Sequence, residues 1–90
     1  MELNIQQNTT KHQFETVVEG HTAFVSYTLF PGGIAYTHTE VPAALEGKGI
    51  AGQLAKYVLE YARTNQLKVK PLCPYVHAYM KRHPEYNDLL

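Results

Sequence analysis

The feature that most constrains this 90-residue chain is a change of hydrophobic period across a run of glycines. Before Pro42 the apolar residues tend to alternate, and from Ile50 onward they recur every three or four positions. The junction between them reads Glu46-Gly47-Lys48-Gly49-Ile50-Ala51-Gly52. Gly47, Gly49 and Gly52 can take backbone angles closed to other residues and let a ligand lie close to the main chain. The unpaired N–H groups of the first helical turn then point at a bound anion, with the positive end of the helix dipole behind them. A phosphate-bearing ligand is the expectation.

Upstream of the junction the spacing predicts four strands, over 3–6, 13–18, 23–30 and 34–41, with Glu19-Gly20 and Pro31-Gly32-Gly33 as turns. In the fourth, simple alternation assigns Ile34, Tyr36, His38 and Glu40 to one face and Ala35, Thr37, Thr39 and Val41 to the other. Downstream, Ile50, Leu54, Tyr57, Val58 and Tyr61 fall on one helical stripe, opposite Gln53, Lys56, Glu60 and Arg63. That predicts a helix of about four turns, stopped near Asn65. A fifth strand follows over 67–72, then a short helix that Pro74 starts and Pro84 ends. The order β-β-β-β-α-β-α defines an α/β (α+β) fold with a mainly antiparallel sheet, in which the helix between the fourth and fifth strands allows them to run parallel. The glycine loop then lies at the C-terminal end of a strand, where open α/β sheets bind ligands.

Length and charge narrow the function. A chain of this size buries only about 60 to 65% of its unfolded surface, so residues 1–90 read as one minimal domain whose site sits on core elements. Eight basic and eight acidic residues cancel, which argues against nucleic acid or anionic lipid as partner and for a small ligand or a protein. One cysteine excludes an internal disulfide framework. With neither a signal-peptide pattern nor an apolar run of about 20 residues, the chain is read as cytoplasmic.

Several stretches together resemble a known family. His38-Thr39-Glu40-Val41-Pro42, the glycine run, Pro71-Leu72-Cys73-Pro74-Tyr75-Val76 and Tyr79-Met80-Lys81-Arg82-His83-Pro84-Glu85-Tyr86 are similar in wording and spacing to the Gcn5-related N-acetyltransferases, in particular to a very small single-domain group among them. The resemblance implies the fold of that family, with the fourth and fifth strands parallel and splayed. It implies acetyl-coenzyme A as co-substrate, its pantetheine arm between the splayed strands and touching the backbone of Val41. Gly47, Lys48, Gly49, Ile50, Ala51 and Gly52 would wrap the pyrophosphate. The family pattern places Gln or Arg where this chain has Glu46; Gly49 and Ala51 fit, so binding through main-chain N–H groups is expected, with Glu46 turned away. The chain lacks the N-terminal helices that help form the acceptor pocket in longer members, so the amine acceptor, a small molecule or a protein, is left open. An acceptor site completed by a second subunit, as a homodimer, is an expectation for so small a domain.

Four residues are candidates for chemistry. Cys73 closes the fifth strand just before a helix N-terminus, where the dipole favours a thiolate; it is a candidate for contact with the thioester or for transient acetylation, against the reading of a buried inert residue. Tyr79 stands close to where many family members place a tyrosine that protonates the departing thiolate, although with seven tyrosines a packing role is the competing reading. His38 and Glu40 are the nearest groups able to take a proton from the amine. The histidines show no metal-ligand spacing with the cysteine, so no metal is expected. Two other classes compete. Gly49-Ile50-Ala51-Gly52 satisfies the GxxG loop of a KH nucleic-acid domain, but follows a strand and not a helix and lacks basic support. A non-catalytic acyl-coenzyme A sensor would use the same loop without turnover.

Overall fold

The structure, a computed structural model, describes residues 2–90. Gln6–Asn8 (β1), Gln13–Val18 (β2), His21–Phe30 (β3) and Gly33–Glu40 (β4) form an antiparallel meander. Lys68–Pro71 (β5) adds in parallel to β4, so the five strands lie in sequence order. Ile50–Thr64 (α1) is the crossover between β4 and β5, and Pro74–Arg82 (α2) follows β5. Short 3-10 segments occupy Ala43–Leu45 and Pro84–Leu89. The fold is the expected mixed α+β arrangement, with one parallel strand pair in a mainly antiparallel sheet.

The helices begin and end where local chemistry dictates. Gly49, left-handed at φ 73°, precedes α1, and Asn65 closes it, its N–H and side-chain amide both donating to the Tyr61 carbonyl at 3.0 and 2.8 Å. Ile50, Leu54 and Val58 are buried as the stripe requires, joined by Ala55, Leu59 and Ala62, while Tyr57 lies at the stripe's edge and stays 40% exposed. Pro74 takes the first position of α2, where its missing N–H costs nothing. The first strand is shifted from its expected place. Leu3 and Ile5 pack against the core through their side chains, but the ladder to β2 forms only at Gln6, Gln7 and Asn8.

Both helices cover the same face of the sheet. Phe14 of β2 meets Tyr57 and Tyr61 of α1 edge-on at 5.9 and 4.8 Å between ring centroids. Tyr36 of β4 donates its hydroxyl to the Val58 carbonyl at 2.5 Å, and Val76 and Met80 of α2 join the same cluster. Tyr86 of the last 3-10 segment donates to Glu60 of α1 at 2.7 Å. Each fully buried aliphatic side chain in this layer contributes about 1.5–3 kcal/mol. On the opposite face Ala35 is buried yet lies outside that cluster, and the Lys70 ammonium sits over the Phe30 ring at 4.6 Å.

A bulge in β4 overturns the simple alternation. Tyr36 pairs with Tyr27, but His38 pairs with Ser26, so Thr37 is an extra residue with no partner of its own. Beyond it the faces exchange. Thr39, opposite Val25, now belongs to the helix-covered face, whereas His38 and Glu40 lie with Ser26 and Phe24 on the open face. The expectation that Ile34, Tyr36, His38 and Glu40 share a face is therefore corrected, because one inserted residue shifts a period of two by half. Among the described residues no helix is long and apolar enough to cross a membrane.

Candidate functional site

The parting of β4 and β5 creates the cleft. Their parallel ladder runs from Gly33 and Lys68 to Tyr36 and Pro71, and a last bond joins the Cys73 N–H to the Tyr36 carbonyl at 2.8 Å. There β5 gives way to α2, while β4 continues to Glu40. The bulge decides which main-chain groups face the gap. Tyr27 donates its N–H to the His12 carbonyl, which directs odd-numbered residues of β3 toward β2 and leaves Phe24 and Ser26 to bond β4. Their partners Glu40 and His38 spend their N–H and C=O groups on β3. Those of Thr39, and in the same alternation Val41, turn toward the open side. Unpaired main-chain groups at a widening cleft are what an extended amide-containing ligand can bond.

At the end of β4 the glycine loop meets the first turn of α1. Gly47 and Gly49 have φ of 79° and 73°, the left-handed region that only glycine enters freely. Gly52 is different. It sits inside the helix, and a Cβ there would meet the Tyr75 hydroxyl at 3.7 Å, an ordinary contact. Its conformational freedom, expected to matter, is not used. The first helical bond runs from the Gln53 N–H to the Gly49 carbonyl at 3.2 Å. Ile50, Ala51 and Gly52 precede that bond, no side chain caps the turn and no carboxylate lies in it, so their N–H groups are available to an anion. They line a concavity of about 300 Å³ together with Val41, Gly47, Gly49 and Tyr75. Glu46 is exposed at its rim.

Lys48 stands apart from the other loop residues. It pairs with Glu19 at 3.4 Å, tying the glycine loop to the β2–β3 turn. The side chain of Ile50 is in the core, 1% exposed, so this residue can offer a ligand only its main chain.

The candidate catalytic groups fall in three places. His38 Nε2 and Glu40 Oε1 are 3.5 Å apart on the open face, both well exposed, with Phe24 tilted against His38 at 6.0 Å. Cys73 is 3% exposed beneath the cleft, its sulfur 3.2 Å from the Thr39 hydroxyl. Tyr79 is buried and stacked on His83 at 3.9 Å between ring centroids, while His83 Nδ1 donates to the Tyr79 carbonyl at 2.8 Å. Burial raises the Tyr79 hydroxyl above the usual phenol range, and Tyr75 and Glu85 reinforce the shift against the opposing Arg82 charge. Tyr79 does not line the concavity. The tyrosine that does is Tyr75, one turn earlier on α2, which sequence reasoning passed over. Its only signal was the four-residue spacing from Tyr79. Among the described residues no three histidine, cysteine or acidic side chains gather as metal ligands.

A sequence model of the Gcn5-related N-acetyltransferase family matches residues 13–89, from β2 to the last 3-10 segment. The chain belongs to that family. Within it, protein NATD1 of Mus musculus is 32% identical over 85 residues, spanning 91% of this chain and 77% of that protein. Protein NATD1 of Danio rerio is 30% identical over 91 residues, spanning 96% and 83%. The solution structure of a GCN5-like protein from Staphylococcus aureus superposes with a TM-score of 0.76 at 28% identity, covering 97% of this chain and 86% of that one. N-acetyltransferase chemistry is the activity type this membership supports.

Proposed function

We propose that this domain binds acetyl-coenzyme A and transfers the acetyl group to an amine. The observation that carries the reading is continuity. The concavity at the first turn of α1 leads through Val41 to the unpaired main chain of β4, where β5 departs. Pyrophosphate is held by the N–H groups of Ile50, Ala51 and Gly52 and by the loop from Gly47 to Gly49. Lys48 adds charge on leaving Glu19. The pantetheine arm bonds the main chain of Val41 and then Thr39.

In the transfer, the amine nitrogen bonds to the acetyl carbonyl carbon, the carbon–sulfur bond breaks, the amine gives up a proton and the thiolate takes one. Most of the acceleration comes from holding the reactants together. The Thr39 N–H is the donor suited to the developing oxyanion. His38 and Glu40, on the open face that an acceptor amine reaches from solvent, are the groups that take its proton. Tyr79 holds its proton at neutral pH and is the protein's candidate donor to the thiolate. The acceptor is an amine on a small molecule or on a protein.

One observation favours a second reading. Tyr79 is packed on His83 and away from the concavity, and Cys73 is buried against Thr39, as in a domain that binds acyl-coenzyme A without turning it over. A single series separates the two. Acetyl-coenzyme A is titrated calorimetrically into the wild type and into Gly49→Trp, whose side chain projects into open space at the loop. Release of coenzyme A thiol is then followed with a panel of amines for the wild type, Cys73→Ala, Tyr79→Phe and Glu40→Gln. Micromolar binding lost in Gly49→Trp supports the coenzyme site, and amine-dependent thiol release lowered in Glu40→Gln supports transfer. An acetyl mass on Cys73 would shift the route from direct to covalent. Binding without thiol release leaves the sensor, and no binding by the wild type refutes both.

A further inference from the structure

Tyr75 lines the concavity together with the glycine loop and the first turn of α1. Its place is set by the turn that ends β5, since Cys73 is the last extended residue and Pro74 opens α2. The rings of Tyr36 and Tyr86 reach protein acceptors, the Val58 carbonyl and the Glu60 carboxylate. The half-buried Tyr75 reaches none among the described residues. Its oxygen lies 3.7 Å from the position of a Cβ on Gly52, so it stands within one side chain's breadth of the first turn of α1. Ile50, Ala51 and Gly52, whose N–H groups precede the first helical bond, line the same concavity, and no acidic residue lies in that turn.

We propose that the Tyr75 hydroxyl, beside the first turn of α1, donates a hydrogen bond to the coenzyme's pyrophosphate held at that turn. The assignment rests on the coenzyme reading above. A phenol suits the task because it donates to an anion without adding charge, and its ring shields the phosphate–N–H bonds from water. The helix N–H groups hold the anion, and Tyr75 supplies one further donor beside them.

The test compares the wild type, Tyr75→Phe and Gly49→Trp by calorimetry with acetyl-coenzyme A, and by phosphorus NMR of the bound coenzyme. Circular dichroism confirms that each variant is folded. Removing one hydrogen bond to a charged group is expected to weaken binding about tenfold or more in Tyr75→Phe. The two pyrophosphate resonances of the bound coenzyme should move while the 3′-phosphate resonance stays. Unchanged affinity, or shifts confined to the 3′-phosphate, would overturn the role of the hydroxyl while leaving the coenzyme site intact if Gly49→Trp still abolishes binding. Absence of binding by the wild type would remove the coenzyme reading and this assignment with it.

Discussion

Alanine at Gly49 and alanine at Gly52 should move stability in opposite directions, although the positions lie three residues apart. Gly49 holds φ 73° and ψ 16° immediately before α1, and a Cβ there would touch nothing within 4 Å. The cost is therefore conformational alone, about 1–2 kcal/mol for a left-handed L-residue. Restricting the unfolded chain offsets part of it, leaving about 1 kcal/mol of destabilisation. Gly52 already has helical backbone, and its Cβ would meet the Tyr75 hydroxyl at an ordinary 3.7 Å. Alanine there gains roughly 0.5–1 kcal/mol of helix preference. The variants should differ by about 2 kcal/mol, or roughly 8–16 °C in Tm for a domain of this size. Urea unfolding followed at 222 nm measures both through the midpoint at constant m. The same pair separates folding from binding, because Gly52→Ala, the more stable, puts its methyl between the helix and Tyr75 and should bind acetyl-coenzyme A more weakly than the wild type. A Gly52→Ala domain less stable than the wild type, or a Gly49→Ala domain equal to it, would refute the conformational argument.

Other outcomes follow from single contacts. Thr16 is buried with its hydroxyl unpartnered among the described residues, so Thr16→Val should match the wild type or exceed it by up to about 1 kcal/mol in urea; a clear loss would mean that the hydroxyl has a partner. Glu19→Gln frees Lys48 from its 3.4 Å pair and should raise affinity for acetyl-coenzyme A about two- to threefold at low salt. That gain should fade near 1 M salt, where the Debye length is about 3 Å, and equal affinity at low salt would show Lys48 to be idle. Burial raises the hydroxyls of Tyr36, Tyr79 and Tyr86, with Glu60 adding to Tyr86. For groups neutral when protonated and raised on folding, stability is complete below the unfolded value of about 10 and falls above it, because the unfolded chain releases those protons first. Each contributes up to about 1.4 kcal/mol per pH unit. Denaturation midpoints should stay level from pH 7 to 9 and then drop, less steeply in Tyr86→Phe, and a flat profile to pH 11 would contradict the burial.

Local chemistry made much of the architecture legible in advance. The change of period from two to 3.6, the glycines before Ile50, Asn65 as a stop and Pro74 as a start all act through nearest neighbours, so sequence alone determined the order of elements, the bounds of α1 and the loop with its free N–H groups. It also determined the family, through motifs that run along the chain. Tertiary structure alone decided the rest. Nothing in His38-Thr39-Glu40 distinguishes a continuous strand from a bulged one, because a bulge exists only in the register between β3 and β4. That register put His38 and Glu40 on the open face and Thr39 beside Cys73. Choosing between Tyr75 and Tyr79 likewise required knowing how α2 docks, since both lie on one helical face and only packing against α1 separates the ring facing the glycine loop from the ring stacked on His83. Periodicity tells a residue which side of its own element it occupies, and contact between elements tells it what it faces.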